Sequence, residues 1–523
     1  MLKRIVCFVV VAAFVLGTLA ACNRGNGGGD GAADHPSGLA PVTLRVMVLG
    51  GTDTPRTDDI LAEINRILTD RINTTIEIQR VLQEAYDIVL VGLNDVDLIT
   101  SADFLRYFDH ARQGAFQPIP REMIQTYMPQ WYAYAARNLQ AATVDGNIYA
   151  IPNPRPLENA PIAILRRDWF PPGLNSIDSM EDLYTYLAHV RDTQPQILMP
   201  WVMNTGEITW INGAFMFGAV FLKAPGAPSC VAPVVMDKRD YPDFRLVRNW
   251  EQPQIVYYLE WFRRFHEAGF WTTDVLDNPM GMGAAFNEGL SGIRWTLNTQ
   301  AFEWLYPHMR RVHPEAELYA FDWGYRSQVP VDQMAPMGGA VSIPRNGTNM
   351  ARSLMLQELM FTDAELNRVW EFGIRGVDYN LNEAGEVYRL DEDGVWPAGF
   401  SIPGLNRRLW PPPEGGRWPG HDALDAQIAS RFQLNPFIGF GMNTDVSPAI
   451  SAFGPNHWAQ HMELGMLLYL GMSDDIQATL DQFNSTLEQL GIDVWEEELY
   501  RQLQEFLVDA GLDDLYTIAP VSR

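Results

Sequence analysis

The stretch "VTLRVMVLGGTDTPRTDDILAEINRILTDRI", residues 42–72, decides the fold class. Val42 to Leu49 reads as a buried strand that Gly50-Gly51-Thr52 brings to an end, and Thr57 to Ile72 then carries Ile60, Leu61, Ile64, Leu68 and Ile72 at helical spacing. A second strand follows at Thr74 to Ile78. "DIVLVG", residues 87–92, has the local preference of a strand. A parallel sheet, however, needs a crossover before "VDLITS", residues 96–101, so Gln83 to Gly92 is predicted to be a short helix. The order βαβαβ implies an open α/β lobe.

Further along, "GNIYAIPNP" (residues 146–154) reads as a strand stopped by prolines, and "PIAILRRDWF" begins a new unit. Ser179 to Thr193 has a capping serine with Asp182 three residues later and an apolar face of Leu183, Tyr186 and Leu187, which predicts a helix. Gln196 to Met203 and Gly292 to Leu297 read as strands; Ile208 to Phe221, Gln252 to Ala268 and Met282 to Glu288 read as helices. Residues 41–151 with about 295–323 are expected to form one lobe, and about 152–294 with 324–372 the other, which requires two or three chain crossings and so a hinge. Residues 373–523 form a further region with a hairpin built on Asn382 to Gly385, a Pro- and Trp-rich loop at Arg407 to Gly420, and helices near 421–432, 447–469, 475–490 and 494–510.

Upstream, Lys3 and Arg4 precede an uncharged run from Ile5 to Leu16, the order of a secretory signal and too short to span a bilayer. Leu19-Ala20-Ala21-Cys22 resembles a bacterial lipobox, in which the cysteine is acylated and the signal is cut before it. An ordinary secretory signal with an incidental cysteine is the alternative. Residues 1–21 are thus expected to be a lipoprotein signal, and residues 22–40, mostly Gly, Ala, Asn, Asp and Ser, a flexible tether.

A length of 523 residues allows two or three domains, and 47% hydrophobic content marks a globular chain. The formal net charge of -26 argues against nucleic acid and anionic headgroups as partners. Cys7 would leave with the signal and Cys22 would carry lipid, so Cys230 has no internal disulfide partner. Sixteen tryptophans and 19 tyrosines are a large supply of flat amphipathic rings.

The stretches "VDGNIYAIPN" (144–153), "RRDWF" with "IDSMEDLYTYL" (177–187), "FTDAELNRVWEFGIRGVDYN" (361–380), "FIGFGMNTD" (437–445) and "LEQLGIDVWEEELYRQLQEF" (487–506) resemble bacterial extracellular solute-binding lipoproteins of ABC importers. The resemblance is to the carbohydrate-associated group with a C-terminal domain of unknown function, DUF3502. In the third stretch Phe372 and Arg375 replace the Tyr and Glu of the group's Tyr-Gly-Ile-Glu-Gly element. The resemblance implies an α/β fold of the periplasmic-binding-protein type II kind, with two hinged lobes and a helical C-terminal extension. It also implies a carbohydrate ligand, ABC permease transmembrane subunits as partners, a location on the extracytoplasmic face of the cell membrane, and no catalysis. A monomer without cofactor or metal, touching the membrane only through its lipid, is expected.

Sugar recognition needs aromatic planes for C–H faces and polar groups for hydroxyls, and open α/β sheets present such groups at the carboxyl ends of strands. The candidates are Gly51, Thr52 and Asp53 after the first strand, Thr100 and Ser101 after "VDLI", Trp201 and Asn204, Trp295 and Asn298, and Trp323 and Tyr325. Each has a plainer alternative: Trp201 and Trp295 as core residues, and Asp53 with Asp58 and Asp59 as helix caps. The motifs HExxH, GxSxG and GxxxxGK are missing. His457 and His461, four apart on a predicted helix, suit a metal pair or packing; "DEDG" at 391–394 lacks the later glutamate of a calcium loop. A glycosidase with paired carboxylates, or a receptor for peptides or cations, are the alternative functions.

Overall fold

The computed structural model describes residues 35–154, 157–160, 162–203, 219–220, 233–271, 281–296, 299, 301–324, 328, 330–334, 336–390, 402–406, 409–411 and 417–522. The signal segment, Cys22, Cys230, Asn204, Asn298, Tyr325 and residues 391–394 lie outside them. So does the expected helix Ile208–Phe221 apart from Ala219–Val220, which instead pair as a strand with Met236 and Asp237. No helix among the described residues is long and apolar enough to cross a membrane.

The first sheet is built as its opening stretch predicts. Val42–Leu49 lies parallel to Thr74–Val81 in register from Val42 with Thr74 to Leu49 with Val81, and parallel to Leu98–Ser101 on its other side. The helix Thr57–Ile72 buries Ile60, Ile64, Ile67 and Leu68 against Leu44, Val46 and Val48. Gln83–Val91 is helical despite its strand-like composition. Tyr86 and Leu90 face the core while Ile88 is 79% exposed, a period that alternation along a strand cannot give. The expected tether ends early: the His35 ring contacts the Thr69 carbonyl at 2.7 Å and the Asn73 amide donates to the Leu39 carbonyl at 2.8 Å, so residues 35–40 are docked on the lobe.

The expected division of the middle of the chain is corrected. Ile293–Thr296 and Leu318–Asp322 do not join the first sheet; both pair antiparallel with Ile162–Arg166. That central strand is buried on both faces, Ala163 and Leu165 in one core and Ile162 and Ile164 in another with Phe302, Leu305 and Met309, and its backbone groups, cut off from water, are paired by a strand on each edge. The first sheet is completed by Ala340–Ser342 and Ala150–Pro152, and Val341, Ile343, Leu354 and Met360 enter its core. Residues 340–372 therefore belong to the first lobe. Gln196–Met203 forms no strand: Pro195 and Pro200 interrupt it, and its amides bond to separate loops, Leu198 to the Leu290 carbonyl and Trp201 to the Phe270 carbonyl.

Two short strands join the lobes. Leu157–Asn159 carries the chain out of the first lobe and Val331–Met334 brings it back; they pair antiparallel, and Phe432–Gln433 adds in parallel to the second. This three-stranded sheet is the hinge.

Residues 373–523 are not a separate body. The hairpin Tyr379–Leu381 with Val387–Arg389 meets the first lobe through Tyr379 against Phe372 and Ile402 enters that lobe's core, whereas the helices Pro448–Gln460, Ile476–Gln489 and Ile492–Asp509 bury Phe453, Phe483, Trp495 and Leu499 in one core with Trp250, Phe262 and Trp271 of the second. Thr517–Ala519 pairs in parallel with Asp243–Arg245. The segment 437–442 runs between the lobes: Phe437, Phe440 and Met442 enter the second core and Ile438 packs on the first. Its glycines permit the approach. A Cβ on Gly439 would lie 2.4 Å from the Gln140 carbonyl oxygen, and one on Gly441 2.3 Å from the Phe108 ring.

His457 and His461 are both fully buried, among Trp250, Phe453, Trp458, Tyr469 and Phe483. Residues 461–465 form a π turn, and Gly465 is needed there because a Cβ would meet His461 Nδ1 at 2.6 Å. Desolvation by these rings lowers both histidine pKa values to about 3. Both imidazoles are neutral at pH 7 in folded and unfolded chains. Below about pH 6.5 the unfolded chain takes up protons that the folded one refuses, so stability falls as pH drops from there toward 3, by up to ~4 kcal/mol per ring. Thermal unfolding between pH 7 and 4 should show a shallower acid loss in His457→Phe than in the native chain; parallel profiles would contradict the assignment.

Candidate functional site

Strand pairing determines which ends of the two sheets adjoin the hinge. In the first lobe Ala340 lies opposite both Ser101 and Pro152, so the crossover strands attach at the carboxyl ends of the parallel strands. In the second lobe Ile162 lies opposite Thr296 and Asp322, so the same crossovers reach the end that carries Trp295 and Trp323. The two sets of candidate residues therefore flank the hinge from opposite lobes.

On the first lobe, Gly50 and Gly51 turn with φ of 62° and 82° and leave Gly51, Thr52 and Asp53 exposed. Asp53 pairs with Arg80 at 2.8 Å, so this carboxylate does not cap the helix; Asp58 and Asp59 occupy the first helical turn. The loop is anchored at Arg56, whose Nε donates to Asp378 Oδ1 at 2.8 Å, while Asp378 Oδ2 accepts the Ile374 amide at 2.7 Å. Gly373, at φ 82°, has no room for a Cβ beside that carboxylate, the gap being 2.6 Å. The stretch "FGIRGVDYN" thus serves as a brace under the loop that follows the first strand.

Thr100 and Ser101 are both buried, and they differ. The Ser101 hydroxyl is 2.8 Å from that of Ser342 and stitches two strands together, which makes it a structural residue. The Thr100 hydroxyl has no partner among the described residues, and its carbonyl accepts from the Tyr86 hydroxyl at 2.9 Å.

On the second lobe the three tryptophans form a graded row. Trp201 is 1% exposed, stacked on Trp295 at 6.1 Å and 23° and edge-on to Trp271 at 5.5 Å. It backs Trp295 from the core and cannot itself meet a solute. Trp295 and Trp323 are half-buried, with centroids 6.1 Å apart at 53°, and Phe321 lies 5.3 Å beyond Trp323.

Tyr257 and Tyr258 were not singled out in the sequence because "QIVYYLEWF" reads as one amphipathic helix. Pro253–Glu267 is that helix, and Tyr258 lies partly buried at the edge of a core face made by Ile255, Leu259, Phe262 and Phe265. The Trp323 indole N–H donates to the Tyr258 hydroxyl at 3.2 Å, and burial raises the pKa of that phenol, keeping it neutral. Tyr257, 49% exposed, packs edge-on against Tyr258. Adjacent tyrosines at the edge of an apolar face, where one ring is inside and the next outside, were the available signal.

The arrangement can present ring faces and a few polar groups to a neutral solute. No group of three or more His, Cys, Asp or Glu side chains that could hold a metal occurs among the described residues.

No protein-family model and no curated protein matches the chain. Solved structures do. The N-glycan transport solute binding protein NgtS of Streptococcus pneumoniae, in complex with Man1GlcNAc, superposes with a TM-score of 0.71 at 18% identity over 89% of this chain and 100% of that one. The alginate-binding protein AlgQ2 gives 0.62 at 16% identity over 87% and 96%. The ABC-transporter substrate binding protein FusA of S. pneumoniae, in complex with kestose, gives 0.56 at 13% identity over 90% and 100%. All three are binding proteins, and the likeness establishes a two-lobe solute-binding-protein fold with a helical C-terminal extension.

Proposed function

We propose that this chain is a non-catalytic receptor that captures a carbohydrate, an oligosaccharide in particular, between its lobes and delivers it to an ABC permease. The observation that carries this reading is the half-buried pair Trp295 and Trp323 at the hinge end of the second lobe, backed by buried Trp201. Sugar rings offer C–H faces to such planes, and the exposed Gly51–Asp53 loop supplies polar groups from the other lobe. The fold shared with NgtS, AlgQ2 and FusA supports it. Lipidation at Cys22 holds the receptor as a monomer at the extracytoplasmic face of the membrane.

Incubation of the purified protein with a panel of manno-, fructo- and gluco-oligosaccharides should shift tryptophan fluorescence without generating reducing ends. Accumulating product would instead establish a glycosidase. Removing a stacking ring should weaken binding without unfolding the lobe: Trp323→Ala is expected to reduce affinity by ~1 to 3 kcal/mol in calorimetric titration. Trp201→Ala should by contrast lower stability by ~3 to 5 kcal/mol, since its ring fills the core. Equal affinities for Trp323→Ala and the native chain would remove that ring from the site. For the anchor, Cys22→Ser should move the protein from the membrane fraction to the released fraction, and retention would contradict acylation.

A further inference from the structure

Asp322, the last residue of the strand that leads into Trp323, has a fully buried side chain, and so does its partner Arg431, whose side chain is only 4% exposed. The two form an ion pair. Asp322 Oδ1 also accepts the Gly324 amide at 2.9 Å, which closes the turn holding Trp323. On the other side, the Arg431 carbonyl accepts the Val331 amide at 2.9 Å, the first bond of the return crossover strand. Three short contacts therefore run from the turn that carries Trp323 to the hinge: Gly324 to Asp322, Asp322 to Arg431, and Arg431 to Val331.

We propose that the Asp322–Arg431 pair is a positioning link through which the placement of Trp323 and the hydrogen bonding of the hinge strand change together. This rests on the reading of Trp323 as a solute-stacking ring. A buried ion pair loses much of its attraction to desolvation, so packed apolar residues would serve stability as well. A directed pair adds a fixed orientation between two backbone segments. Its location, between a ring at the candidate site and a strand that joins the lobes, gives that orientation a use: solute contact at Trp323 biases the hinge, and hinge motion re-aims Trp323.

Hydrogen exchange in the protein without any added sugar tests the link and does not depend on identifying the solute. Trp323→Ala removes the ring from the turn, and the paired change Asp322→Asn with Arg431→Gln keeps an acceptor for the Gly324 amide while removing both charges. Each should speed exchange of the Val331 amide at least tenfold while amides of Val234–Asp237, in the same lobe, keep native protection. Native protection of Val331 in Trp323→Ala would overturn the link, even if the sugar panel shows binding. Should the paired variant fail to fold, Trp323→Ala alone decides. Faster exchange at Val331 without any binding in the panel would support the link and count against the carbohydrate reading alone.

Discussion

Leu157–Asn159 and Val331–Met334 pair with each other where the chain passes between the lobes, and this ladder orders the rest of the molecule. Because the outgoing strand starts just after Pro152 and the returning strand ends just before Ala340, the carboxyl end of the first sheet must adjoin the hinge. Because the outgoing strand feeds Ile162 and the returning one follows Asp322, the same holds for one end of the second sheet. No side chain needs to be invoked for this result. Residues 35–40 dock on the first lobe at the opposite end, beside Thr69 and Asn73.

Each lip of the site is held from behind. Trp201 supports Trp295 by stacking and Tyr258 fixes the Trp323 indole by one hydrogen bond, so neither ring is free to turn at will. Opposite them, the Gly50–Arg56 loop is braced by Asp378, a residue more than three hundred positions away in sequence. Both supports use buried or half-buried groups whose alternatives are limited by packing, and under the proposed function such preorganisation lowers the ordering cost of binding a solute.

The first lobe was legible in the sequence because its signals are local: helical spacing from Ile60 to Ile72, an eight-residue strand, and a crossover rule that overrode the strand propensity of residues 87–92. The second lobe was less so. Ile293–Thr296 and Leu318–Asp322 were recognisable as strand material, yet which strand they pair with is set by where Ile162–Arg166 sits in the assembled core, its buried backbone needing a partner on each edge. Similarly, helices were expected near 475–490 and 494–510 and lie at 476–489 and 492–509, but the surface they cover, around Trp250 and Phe262, is set by tertiary packing. At the candidate site, the strand-end rule named Gly51, Trp295 and Trp323, and the structure places them on the two lobes at the ends that adjoin the crossover strands. Trp201 and Ser101 share the chemistry of those residues and differ only in burial, which composition cannot report.

Under the proposed function, the distribution of these groups between lobes decides whether binding can close the hinge. Trp295 and Trp323 both belong to the second lobe, so stacking on them distinguishes open from closed forms only as far as the proposed Asp322–Arg431 link re-aims Trp323. The larger bias toward closure comes from contacts completed only when the first lobe arrives, and Gly51, Thr52 and Asp53 are exposed at its hinge end. Asp53 is already paired with Arg80, so a solute hydroxyl there competes with an existing ion pair and gains little. The exposed Gly51 backbone and the Thr52 hydroxyl then carry the differential contact. Stacking supplies affinity on one lobe, and a few neutral hydrogen bonds from the other set the closed population. Neutral bonds also suit a chain with a formal net charge of -26, in which a site read by carboxylates would favour cations over sugars.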